Sequence, residues 1–177
     1  FHTDPVGLLL SHRADWAIVS EVEQNDDVLF KPLFSYEMVG ICSKDHPLAN
    51  KEVWQAEDFA EETWVTYPVP DDMLDLYRQV LKPKGINPPR RTTELTIALI
   101  QLVASRRGIA TVPYWAALPY LEKGYVVARK ITEEGLYSNL YAAIRKEDAN
   151  LAYIEDFHQT VKAQSFSTLP GLSVLEL

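Results

Sequence analysis

A chain of 177 residues, 47% apolar and 11% aromatic, has material for one domain or two small ones with a real core. Its formal net charge of −8, with no basic run beyond pairs such as Arg90-Arg91 and Arg106-Arg107, argues against a phosphate-gripping face or an attachment to acidic membrane on this chain. The single cysteine, Cys42, excludes an internal disulfide and a multi-cysteine zinc site, and no apolar run approaches the roughly 20 residues a membrane helix needs.

Asp4 and Pro5 predict a short helix reaching Ser11, with Asp4 as N-cap and Pro5 in the first turn, where a missing N–H costs nothing. "DWAIVS", Asp15 to Ser20, is a short apolar run that reads as a strand covered on both faces. Val28 to Ser43 is a longer β-rich stretch, and Pro32 within it predicts an edge position or a change of direction. Cys42 lies in that run and reads as an inert core thiol. His46 sits in the surface turn "KDHPLAN", and "EDFAEE" (57–62) reads as a solvated acidic face around a short helix.

"TWVTY" is the next strand and ends in the turn "PVPDD". Met73, Leu76, Tyr77, Val80 and Leu81 then fall at helical spacing and predict one amphipathic helix, with Asp71 and Asp72 capping its start. Gly85 and the prolines of "KPKGINPP" stop it. A strand around Arg90 to Thr93 precedes a helix whose positions from Leu95 to Ala104 are nearly all apolar, the composition of a helix buried all round. A turn at Arg107-Gly108 leads to the strand "IATV", and Pro113 begins a helix to about Glu122. "YVVARKI" and "LYSNLYAAIR" are strands, and Leu151, Ile154, Phe157 and Val161 mark the apolar face of a last helix.

Repeated βα units predict an α/β fold with a mostly parallel sheet and helices on both faces. The strands Phe34–Ser43 and Ser138–Arg145 are long, and they bracket a run with its own βα alternation. The expected plan is two Rossmann-like lobes joined by two crossover strands, with a cleft between them. Lobe I takes 1–38 and 143–177, and lobe II takes 39–142.

Ligands of open parallel sheets bind outside the carboxyl ends of strands, near helix N-termini. The residues placed there are Ser20 and Glu21, then Tyr67 and Pro68, then Thr92, Thr93, Glu94 and Thr96, and finally Pro113. A helix N-terminus suits a carboxylate and Glu94 suits an ammonium, so the set describes an amino-acid-like zwitterion. A second reading stays open beside it. Each threonine could cap the following helix, worth about 1 kcal/mol, and Tyr67 could be a core residue with a partnered hydroxyl. Catalysis finds no support: there is no G-x-S-x-G elbow and no glycine-rich phosphate loop, and His2, His12, His46 and His158 are scattered, with no metal-ligand spacing. No cofactor is expected.

"RADWAIVSE", "KDHPLA" and "VASRRGIATVP", in that order on a two-lobed plan, resemble the effector-binding domain of LysR-type transcriptional regulators over essentially the whole chain. The resemblance implies a type 2 periplasmic-binding-protein-like fold and a small effector held in the cleft. In the family the loops matching Ser20, Tyr67 and Thr92 through Thr96 line that cleft, while Thr111, Pro113 and Trp115 follow the matching strand as weaker candidates. "FSYEMVGICSKDHPLA", "EDFAEETWVTYPV" and "GLYSNLYAAIR" most resemble family members that regulate methionine biosynthesis, which implies homocysteine as effector. The family further implies a cytoplasmic homodimer or homotetramer that meets DNA through an N-terminal winged helix-turn-helix. Against that pattern the chain begins after the strand and helix that open lobe I, so this lobe is expected to be incomplete at its N-terminus. The alternatives are a periplasmic-type solute-binding protein for a small amino acid, which shares the two-lobe plan, and a small hydrolase, for which no nucleophile–base pair is present.

Overall fold

The computed structural model describes residues 4–176; Phe1–Thr3, with the isolated His2, and Leu177 lie outside the described residues. The chain forms two compact units. The first runs up to Tyr36 and resumes at Ser138, and the second is Glu37–Tyr137. The strands β2 (Val28–Cys42) and β8 (Leu136–Arg145) carry the chain from one to the other and back.

In the first unit, α1 (Pro5–Leu10) starts as the sequence predicts. Asp4 Oδ1 accepts the Gly7 N–H at 2.7 Å, and Pro5 occupies the first turn. Val6 and Leu9 pack on Val19, Val28, Phe30 and Ala143. The strand β1 (Ala17–Val19) pairs antiparallel with β8, from Ala17 opposite Ala143 to Val19 opposite Tyr141. β8 lies between β1 and β2. β2 runs unbroken through Pro32, because the fixed φ of proline is compatible with extended backbone, and the pairings of β2 with β6, β7 and β9 begin only at Ser35.

Arg145, buried at the end of β8, ties this unit together. Its guanidinium donates to the carbonyls of Leu9 (2.9 Å) and Ala14 (2.5 Å) and to the carboxylates of Asp15 (2.7 Å) and Asp148 (2.5 Å). The last helix, α4 (Ala152–Thr168), buries Ile154 and His158, one turn apart. Phe157, expected on that face, is 50% exposed and meets Trp16 edge-to-face. The stripe runs from Ile154 to His158 because a spacing of four keeps the two side chains on one helix face.

The second unit orders its strands β3 (Val53–Trp54), β7 (Val127–Ile131), β2, β6 (Ile109–Pro113), β4 (Trp64–Thr66) and β5 (Arg90–Thr92). β4 is parallel to β5 and β6, and β3 to β7, while β2 is antiparallel to β6 and β7. The sheet is therefore mixed, a correction to the mostly parallel one expected, because the crossover strand runs against its neighbours. Both faces are covered. Trp64 and Ile109 turn toward Trp54, Phe59, Leu76, Leu81 and Ile131. Val65, Ala110 and Val112 turn toward α2 (Thr96–Ala104) and α3 (Tyr114–Glu122), through Leu99, Ile100, Val103 and Ala117.

α2 is not buried all round. Leu99, Ile100 and Val103 are fully covered, but Leu95 just before it is 63% exposed and Ile97 is 56% exposed. The helix expected from Met73 is irregular as well: a 3-10 turn at Asp71–Met73 precedes a segment centred on a π-helical turn, Tyr77–Leu81. Asp71 and Asp72 are not its caps. Asp72 pairs with Lys82 at 2.7 Å and Asp71 with Arg90, whose guanidinium lies over the rings of Trp64 and Tyr77. His46 is mostly buried: Nδ1 accepts the Leu48 N–H at 3.1 Å and Nε2 lies 3.2 Å from Glu62, so it clasps its turn. The acidic segment is largely paired, Asp58 with Lys51 at 2.5 Å and Glu57 with Lys84 at 3.4 Å. Gly108 is required by close approach, since a Cβ there would lie 2.3 Å from the Thr63 carbonyl oxygen.

Cys42 is fully buried, and burial pushes its thiol up to about 11. The native thiol should resist alkylation at about pH 8 and react promptly once the chain is unfolded, as mass spectrometry after iodoacetamide treatment would record. Replacing Arg145 by Ala removes four hydrogen bonds at once, two to carbonyls and two to carboxylates, and should cost about 3 kcal/mol in urea unfolding. Burial first, then the charge of Lys31, hold the His158 imidazole below its ordinary value of 6.5. The native state therefore refuses a proton that the unfolded chain accepts, and stability should be lost as pH falls below that value. The Tm of His158→Leu should accordingly fall less between about pH 7.5 and about pH 5.5 than that of the parent chain.

Candidate functional site

Three strands of the second unit, β6, β4 and β5, run parallel and end on one edge. Register aligns their threonines. Thr66 pairs with Thr92, and one step beyond the Val65–Ala110 pair Thr66 stands beside Thr111. Thr66 and Thr111 are buried, and Thr92 is exposed. Thr66 was not a candidate from sequence. The signal was available, because "WVT", "RRT" and "IAT" each place a threonine near a strand's carboxyl end.

The chain leaving β4 continues into Tyr67, which packs on the α2 side of the sheet. Its hydroxyl shares a hydrogen bond of 2.7 Å with Thr96 Oγ1 in the first turn of α2. The Thr93 N–H donates to the Thr66 carbonyl at 3.0 Å, fastening the loop between β5 and α2 to the end of β4. Capping does not explain the polar loop. The residue at the N-cap of α2 is Leu95, in extended conformation, and no side chain caps the helix. The first-turn amides keep no side-chain acceptor, so that end carries partial positive charge.

Glu94 is exposed in the same loop, between the half-buried Thr93 and the exposed Leu95. Pro113 closes β6 and is the N-cap residue of α3, and Trp115 comes half-buried in the first turn of that helix. The structure thus joins Tyr67 and Thr96 by contact, Thr92 and Thr111 by register with Thr66, and Thr93 by its backbone bond to Thr66. Ser20, exposed just after β1, belongs to the first unit. The edge offers hydroxyls and free amides for an anionic group, a carboxylate for a cationic one, and exposed apolar side chains beside them. Among the described residues no group of three or more His, Cys, Asp or Glu side chains is placed to hold a metal ion, and no helix is long and apolar enough to cross a membrane.

Residues 2–165 match the LysR substrate binding domain family, and the chain belongs to it. It is 85% identical over all 177 residues to the HTH-type transcriptional regulator MetR of Haemophilus influenzae, and it spans 57% of that protein's length. The regulatory domain of MetR, a LysR family regulator from N. meningitidis, superposes with a TM-score of 0.92 at 66% identity, covering 98% of this chain and 81% of that one. The effector binding domain of QuiR in complex with shikimate shares the fold, with a TM-score of 0.73 at 23% identity over 90% of this chain and 77% of its own. The two-unit plan is the type 2 periplasmic-binding-like fold of these regulatory domains. The relatives bear the names of transcriptional regulators, not of enzymes.

The Tyr67–Thr96 bond makes the strand end and the helix start one unit. Tyr67→Phe and Thr96→Val should each lower stability by about 1 kcal/mol in urea unfolding, and the double variant should lose little more than either single one.

Proposed function

We propose that the chain is the effector-sensing domain of a LysR-type regulator of methionine biosynthesis genes, and that it binds homocysteine at the strand edge carrying Tyr67, Thr92, Thr93, Glu94 and Thr96. The observation that carries this reading is the uncapped start of α2 beside the hydroxyl pair Tyr67–Thr96. An amino acid needs anchors for a carboxylate and an ammonium. The helix start and the threonine hydroxyls suit the first, and Glu94 suits the second. The exposed Leu95 and Ile97 suit the short methylene–thiol chain that distinguishes homocysteine from more polar amino acids. Thr66 and Thr111, buried and in register, support the edge from behind. Ser20, Pro113 and Trp115 complete the proposed set, on the strength of the family resemblance.

The high identity to a methionine regulator supports this choice of effector class. The whole protein is proposed to be a cytoplasmic homodimer or homotetramer that reaches DNA through a helix-turn-helix domain. A ligand shifts such a protein only by binding one of its conformations better than another.

Calorimetric titration tests the reading directly. L-homocysteine should bind, with L-methionine and L-cysteine weaker. Thr92→Ala and Thr96→Ala should each weaken binding roughly tenfold, with Thr92→Ala leaving the urea midpoint nearly unchanged. Equal affinity in parent and variants would remove the site from this edge.

A further inference from the structure

The family match ends at residue 165, three residues before the end of α4. Beyond α4 the chain keeps a defined path. It turns at Pro170-Gly171, with Gly171 at φ 76, a conformation that favours glycine. It then folds back as β9 (Leu172–Ser173), antiparallel to β2, with Ser173 opposite Ser35 and Leu172 opposite Tyr36. Phe166 stands edge-to-face on Phe34, and Phe34 on Tyr36, both with ring centroids 6.2 Å apart. On the β8 side, Ser35 Oγ donates to the Ser138 carbonyl at 3.4 Å.

These contacts converge on one place in the chain. Tyr36 is the last residue of the first unit on the way out, and Ser138 is the first on the way back. We propose that residues 166–173 are a strap that stiffens the two crossing strands at this point. Attached, it adds a strand and an aromatic brace at Ser35 and Tyr36, just before the pairing of β2 with β6 begins at Met38. Released, it frees the crossings while leaving both cores intact, because none of its residues belongs to a buried core cluster. The strap is thereby a regulatory element that sets how readily the crossings bend, whichever effector the domain senses.

Amide hydrogen exchange, read by NMR, separates this from a mere edge cover. Two variants are compared with the parent: a chain ending at Thr168, and the full-length Gly171→Val, which blocks the turn. The expected result is exchange about tenfold faster at Glu37–Gly40 and Tyr137–Asn139, outside the Ser35–Tyr36 pairing with β9, with Leu99–Val103 of α2 unchanged. Faster exchange confined to Ser35 and Tyr36 would overturn the proposal, showing only lost strand pairing. A uniform rise that includes α2 would overturn it as well, since the segment would then support global stability.

Discussion

The parallel register of β4 with β5 and β6 is the constraint on which the rest of the second unit depends. It sets Trp64 and Ile109 on one face and Val65 and Ala110 on the other, and each face is then closed by its own helical layer. The same register brings three threonines level at the carboxyl edge and delivers Tyr67 to the start of α2. A slip of one residue would exchange the faces, burying polar side chains and exposing the core. The position of the polar edge is thus a consequence of how the apolar core is satisfied.

The role proposed for that edge is recognition. The hydroxyls of Tyr67 and Thr96 hold one another, and the Thr93 N–H to Thr66 carbonyl bond fixes the backbone of the loop beside them. Preorganised hydroxyls and an uncapped helix start favour a bound anion without large rearrangement, as the proposed sensing role requires. The first unit shows a different economy. One buried arginine, Arg145, gathers the carbonyls of Leu9 and Ala14 and two carboxylates, and so holds together short elements with a small core.

Much of this was legible in the sequence, where local rules decide the outcome. The Asp4–Pro5 helix start, the strand "IATV", the helix after it and the inert Cys42 stem from capping, patterning and burial. The polar cluster before α2 was visible, but its role was not, because a threonine in a loop reads equally as cap or ligand contact until the N-cap proves to be Leu95. Other features are set by tertiary context. An apolar count cannot tell that Leu95 and Ile97 face outward while Leu99 and Ile100 face in. Asp71 and Asp72 sit where caps would sit, yet they pair with Arg90 and Lys82, which are distant in sequence. Thr66 needed strand register, and β9 is two residues long, too short for any periodicity to reveal.

The central claim is that the effector sits on the edge formed by β6, β4, β5 and the start of α2. The most direct measurement is an amide NMR titration of the isotopically labelled chain with L-homocysteine. The account predicts saturable shifts concentrated at Thr66–Tyr67, Thr92–Ala98 and Thr111–Trp115. Shifts centred elsewhere, or none at saturating ligand, would contradict it.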